Sequence, residues 1–150
     1  MEHRFSVRVY YEDTDLAGIV YYANYLRFIE RARTEWARAL GIDQTALRDR
    51  DGIVLAVRRL EADYLAPARF DDLLEVGTRP VSAGGARVVL DQEVRWGGAV
   101  LFAARVTLVA LCATGRPARL PAPLSLALAR ALHAAPDSTP GGALRGGASG

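Results

Sequence analysis

Near the start of the chain, Glu12, Asp13, Thr14 and Asp15 stand together, followed by Gly18 and by an apolar-periodic run that begins near Tyr22–Asn24. That order of residue types suits acyl transfer. A helix N-terminus presents unpaired backbone N–H groups and a partial positive charge. Such groups polarise a carbonyl and hold the oxyanion that forms on attack. A carboxylate just upstream can act at the same centre as nucleophile or general base. Gly18 lets the backbone turn tightly and come close to a ligand. One carboxylate and one helix end are enough. The alternative is that the four polar residues form a plain strand-to-helix loop, one of them capping it.

Other chemistries fail on spacing or residue type. With Asp13 as first ligand of a calcium loop, Asp15 falls third and Gly18 sixth, as required. Ala17 then falls fifth and Asn24 twelfth, where an oxygen ligand and a bidentate Glu are needed. A zinc site would have to draw on His3, His133 and Cys112, which are far apart in sequence. Cys112 ends an apolar run with no His nearby, so it reads as a small buried residue. No metal or cofactor is expected.

The elements that must position this loop follow from periodicity. Phe5, Val7, Val9 and Tyr11 alternate with polar residues, which predicts a strand over 4–11. From about Ala23 the period becomes helical: Tyr25, Phe28, Ile29, Ala32, Trp36, Ala39 and Leu40 share one face. A helix of about 18 residues, roughly 27 Å long, is predicted, with Gly41 as its stop. Its polar face carries Arg27, Glu30, Arg31, Arg33, Thr34, Glu35 and Arg38, with Arg31–Glu35 as a surface pair. A polar stretch over 43–52 follows. Strands are then expected over 53–65, 73–81, 86–96 and 99–112, joined as a meander, with Gly84-Gly85 and Gly97-Gly98 as punctuation. Residues 121–132 allow a short, weak helix. The long helix can bury its stripe only against the sheet. The fold class is therefore α+β, one long helix across a curled antiparallel sheet of about five strands.

Length and composition bound the rest. The 150 residues suit one domain, placed at 1–134, with a Pro/Gly/Ser-rich tail over 135–150 expected to be disordered. All 19 cations are Arg, against 17 acids, so the charge of +2 leaves no electrostatic footprint for nucleic acid. No apolar run is long enough for a membrane span. The N-terminus turns acidic before any signal-like apolar region, and one cysteine cannot form an internal disulfide. A cytoplasmic location is expected.

At EDTDLAGIVYYANYLRFIERARTEW the chain resembles the hotdog-fold acyl-CoA thioesterases. It is most similar to the YbgC-type enzymes encoded with the Tol-Pal envelope system and to the 4-hydroxybenzoyl-CoA thioesterases. The D-x-D-x-x-G-[IV]-V-[YF] core, the N-Y-L-R-F helix start and the E-R-A-R-T-E-W helix body stand in register. The similarity runs on through A-P-A-R-x-D-D at 66–72 and R-P-A-R-L-P at 116–121. The resemblance implies a hotdog fold, a catalytic carboxylate at Asp15, and a Tyr22 backbone N–H aimed at the thioester oxygen. Asp13 is then structural. Many YbgC-type members carry His where this chain has Tyr22; the 4-hydroxybenzoyl-CoA type has Tyr. Glu30 and Glu35 are alternative bases by analogy with another hotdog group, although both also read as a solvated helix face.

The implied activity is hydrolysis of short-chain or aryl acyl-CoA to free acid and CoA. The alternative is a non-catalytic module that binds acyl-CoA or acyl carrier protein within an envelope-linked complex. A hotdog dehydratase would want a His that this motif lacks. Gly18 and Tyr25 are expected to border the substrate, with Tyr22 and Tyr25 narrowing the acyl pocket. CoA phosphates call for cations, and Arg58, Arg59, Arg87, Arg116 and Arg119 are the candidates. Open sheet edges and the resemblance point to a homo-oligomer, a dimer of dimers, with sites at the dimer interface. Peripheral association with the inner membrane is compatible with the envelope link.

Overall fold

The computed structural model describes residues 2–133. In chain order it contains β1 (His3–Arg8), a 3-10 turn (Tyr11–Asp13), α1 (Asn24–Ala39) and α2 (Gln44–Ala46), which runs into a π-turn (Leu47–Asp51). β2 (Val54–Tyr64), β3 (Leu73–Gly84), β4 (Arg87–Trp96), β5 (Ala99–Leu111) and α3 (Ala122–His133) follow. The five strands form one antiparallel sheet in the order β1-β3-β4-β5-β2. The expected α+β arrangement, a helix held against a curled five-stranded sheet, is present.

α1 packs by its apolar stripe. Tyr25, Phe28, Ile29, Ala32, Trp36 and Ala37 are buried. Below them, every second residue of β4 (Val88, Leu90, Gln92 and Val94) turns its side chain into the core. Phe102, Val106 and Ala110 of β5 do the same. Full burial of side chains such as Phe28 or Phe102 stabilises by about 1.5–3 kcal/mol each. The helix stops where Gly41 adopts φ +81°. The Gly41 N–H then donates to the Arg38 carbonyl, and the Ile42 N–H to that of Ala37, both at 2.9 Å, which satisfies two end carbonyls.

Four expectations need correction. The first strand ends at Arg8, and Tyr11 lies in the 3-10 turn. Residues 43–52 are largely helical: Asp43 caps α2 by accepting the Ala46 N–H at 2.9 Å, and Leu47 anchors the π-turn in the core. On α1, Glu35 pairs with Arg38 rather than with Arg31. The meander covers β3, β4 and β5 alone, because β2 pairs with β5 at the far edge and β1 pairs with β3. The link over 65–72 is too long for a tight hairpin. It makes its hydrogen bonds elsewhere: the Leu65 and Ala66 N–H groups donate to the Leu101 carbonyl, and Val9 and Asp72 bond through their backbones.

α3 is a full three-turn helix whose Leu124 and Leu128 are buried against the sheet. The expected tail over 135–150 and the domain boundary at 134 lie outside the described residues. Among the described residues no helix is long and apolar enough to cross a membrane.

Candidate active site

The acidic loop is a small hairpin. The Tyr21 N–H donates to the Asp13 carbonyl, Thr14 bridges Val20, and the Asp15 N–H donates to the Ile19 carbonyl. The Gly18 N–H closes the tip on the Asp15 carbonyl at 2.9 Å. Gly18 has φ +79°, a conformation that glycine adopts without a Cβ penalty.

The two aspartates of this hairpin have different surroundings. Asp13 is buried, and its Oδ2 accepts the Tyr10 N–H at 2.8 Å. Its carbonyl also accepts from Asn24 Nδ2 at 2.9 Å, which ties the loop to the start of α1. Asp15 is exposed at the tip. Its Oδ1 accepts the Ala17 N–H at 2.9 Å, which orients the carboxylate. Among the described residues Oδ2 has no hydrogen-bond partner.

The hairpin delivers the chain to α1, whose N-cap residue is Ala23, with no side-chain cap and no acid in the first turn. The Asn24 N–H reaches the Tyr21 carbonyl at 2.8 Å. No acceptor is found among the described residues for the N–H groups of Tyr22 and Ala23. An uncapped helix start therefore keeps donors for an incoming oxygen. Asp15 sits two ladder steps from the position opposite Tyr21, roughly 7 Å at strand rise.

Aromatic side chains border this corner. The Tyr64 hydroxyl donates to the Tyr22 carbonyl at 3.0 Å, and the two rings meet edge to face. Tyr25 is 3% exposed; its ring stacks on Phe102 with centroids 5.1 Å apart. Its hydroxyl accepts the Ala68 N–H at 2.9 Å, and burial pushes this phenol above its ordinary pKa. Tyr25 thus supports the site from beneath and holds the 65–72 link against the hairpin, where Val20 donates to the Ala68 carbonyl. Tyr11, Leu16, Leu65 and Phe70 remain exposed around it.

The expected phosphate-binding arginines do not converge on Asp15 within one chain. Arg59 and Arg87 lie on the sheet face turned away from α1, and Arg59 stands 3.5 Å from Glu61. Arg58 is the extra residue of a bulge in β2. Arg87 is seven residues along β4 from Val94, the row that holds Phe102 and Tyr64, or roughly 23 Å at strand rise. The segment carrying Arg116 and Arg119 is bonded to this same end of the sheet, through Cys112 to Arg116 and Leu120 to Gly85. Arg58, Arg87, Arg116 and Arg119 have no ion pair among the described residues. On the outer face Arg105 chelates Asp91 at 2.8 and 2.9 Å. Glu30 accepts the Thr34 hydroxyl at 2.9 Å, and Glu35 is held by Arg38. No cluster able to hold a metal ion occurs among the described residues.

One polar group escaped the sequence reading. Arg33, assigned to the solvated face, is half-buried and donates to Gln92 Oε1 at 3.1 Å. Gln92 Nε2 in turn donates to the Ile29 carbonyl and to Thr78 Oγ1, both at 2.9 Å. Burial depresses the Arg33 pKa from its ordinary value, against the opposing pull of Glu30. The available signal was Thr78 and Gln92 at core-facing positions of alternating strands.

Comparison with known proteins identifies the family. The thioesterase superfamily model matches residues 17–103. The acyl-CoA thioesterase YbgC of Haemophilus influenzae is 46% identical over 90 residues, 60% of this chain and 66% of that protein. The acyl-CoA thioester hydrolase YbgC of Escherichia coli is 46% identical over 91 residues, 61% of this chain and 67% of that protein. The chain thus spans about two thirds of the length of these curated relatives. The crystal structure of a probable thioesterase from Bartonella henselae superposes with a TM-score of 0.77 at 38% identity, covering 81% of this chain and 100% of that one. With a family match across more than half its length, the chain belongs to the thioesterase superfamily.

Proposed function

We propose that this superfamily member is an acyl-CoA thioester hydrolase acting on short-chain or aryl substrates, with Asp15 as its reacting carboxylate. The observation that carries the reading is the pairing of an oriented, half-free carboxylate with the uncapped start of α1. The relatives' names supply the substrate class. A thioester carbonyl bound beside the helix start would accept hydrogen bonds from the Tyr22 N–H and its neighbour. Asp15 Oδ2 then attacks the carbonyl carbon, thiolate leaves, and water hydrolyses the resulting anhydride; or Asp15 takes a proton from the water that attacks. Either route yields the free acid and CoA, and both need the same oxygen. Loss of one oxyanion donor of this kind typically costs about 10²–10³ in kcat.

The exposed apolar ring of Tyr11, Leu16, Leu65 and Phe70 supports assembly into a dimer of dimers, in which a second copy completes the site. Arg58, Arg87, Arg116 and Arg119 then serve as phosphate contacts, across the interface where one chain cannot bring them to its own Asp15. Cytoplasmic placement, with any peripheral contact at the inner membrane, rests on composition and on the resemblance.

The test is CoA release by purified protein on a panel of thioesters at fixed salt. Highest kcat/KM is expected with butyryl- or benzoyl-CoA. An optimum at palmitoyl-CoA would contradict the short pocket. Binding without turnover would favour the non-catalytic module, and turnover confined to acyl carrier protein thioesters would move the carrier.

A further inference from the structure

Two consecutive peptide groups enter α1 with N–H donors that find no acceptor among the described residues, and each has its carbonyl tied down. The carbonyl of the peptide between Tyr21 and Tyr22 accepts the Asn24 N–H at 2.8 Å. The carbonyl of the peptide between Tyr22 and Ala23 accepts the Tyr64 hydroxyl at 3.0 Å. The helix passes this second carbonyl over, since the Leu26 N–H bonds to the Ala23 carbonyl at 3.1 Å. In a trans peptide the C=O and N–H bonds lie in one plane and point in opposite directions, so a partner that fixes the oxygen also aims the hydrogen. The first tie is local backbone. The second comes from the sheet.

Tyr64 is a firm reference point for that tie. It is the last residue of β2 and pairs with Phe102 of β5. The next two residues, Leu65 and Ala66, donate their N–H groups to the Leu101 carbonyl. The Tyr64 ring meets Phe102, Tyr25 and Tyr22 edge to face, with centroids 5.0, 5.6 and 6.0 Å apart. Phe102 and Tyr25 are buried, so the hydroxyl takes its position from the core rather than from the acidic hairpin. Partial burial and the neighbouring Tyr22 push this phenol above its ordinary pKa, and it remains a donor at neutral pH. A donor on the Tyr22 oxygen also polarises the amide and strengthens the Ala23 N–H on its other side.

We propose that Tyr64 is a positioning residue: its hydroxyl fixes the peptide between Tyr22 and Ala23 and thereby aims the Ala23 N–H, beside that of Tyr22, at the oxyanion formed during thioester hydrolysis. This inference rests on the thioesterase reading and names the side chain that orients one of its oxyanion donors.

The experiment measures kcat and KM for butyryl- and benzoyl-CoA in Tyr64→Phe, which keeps the ring contacts and removes the hydroxyl. Outright loss of an oxyanion donor costs about 10²–10³ in kcat; here the N–H stays but loses its aim, so a fall of about tenfold is expected, with KM within about twofold of wild type. A second readout is the carbonyl stretch of benzoyl-CoA, isotope-labelled at its carbonyl, bound to the slow variant Asp15→Asn. The stretch is expected below that of the free thioester, and addition of Tyr64→Phe is expected to move it back toward the free value, a change that lost packing alone would not produce. A kcat within about twofold of wild type in Tyr64→Phe, a raised KM at unchanged kcat, or an unmoved stretch would overturn the inference and leave the thioesterase reading standing. Loss of kcat in Tyr64→Leu but not in Tyr64→Phe would assign the role to the ring and overturn it likewise. No turnover of either thioester by the wild type would overturn both.

Discussion

Asp13 and Asp15 are the same residue type two positions apart, and their separate roles come from the hairpin around them. Asp13 spends a carboxylate oxygen on Tyr10 and its carbonyl on Tyr21 and Asn24. Removal of its side chain leaves a Tyr10 N–H without its acceptor. Asp13→Ala is therefore expected to lower stability by about 1–3 kcal/mol, read as a shift of the urea midpoint at unchanged slope. An unshifted midpoint would show that the bond is dispensable. The D-x-D pattern was legible in the sequence and so was the need for glycine at position 18. Arg33 was misread because periodicity alone places it with Arg31 and Glu30; its partners Gln92 and Thr78 come from strands distant in sequence.

Among the elements, α1 and the alternation of β4 and β5 could be read directly, because local period sets which face is buried. The crossing of β2 to the far edge could not, since a strand's own residues do not state which neighbour it joins. The 65–72 link is the consequence: it passes the hairpin and is fastened by the Tyr25 hydroxyl and by Val20. Tyr25 was expected at the acyl pocket; its position beneath the site depends on Phe102, whose place in the core follows from β5 pairing with both β2 and β4. Tyr25→Phe keeps the stacking and removes the acceptor for Ala68. Faster amide exchange at Ala68, with protection in the middle of α1 preserved, is the expected outcome in hydrogen-exchange measurements. Unchanged exchange at Ala68 would mean that the link is held by its other bonds.

At the scale of the molecule, one chain has two sheet edges and an exposed apolar ring around Asp15. Unpaired edges and apolar patches of this kind are normally covered. Light scattering at micromolar concentration is expected to give a mass of two or four chains, and a monomeric mass would contradict a site completed by a second copy. Composition could suggest assembly but not where it occurs, because the ring forms only after 10–22 and 64–73 are brought together. The central claim is that Asp15 performs the chemistry in this assembled frame. The most direct measurement is kcat for Asp15→Asn on butyryl- and benzoyl-CoA, with the thermal midpoint recorded on the same sample. A fall of about 10²–10⁴ at an unchanged midpoint is expected, since an amide neither attacks nor takes up a proton; turnover within a few-fold of wild type would contradict the account.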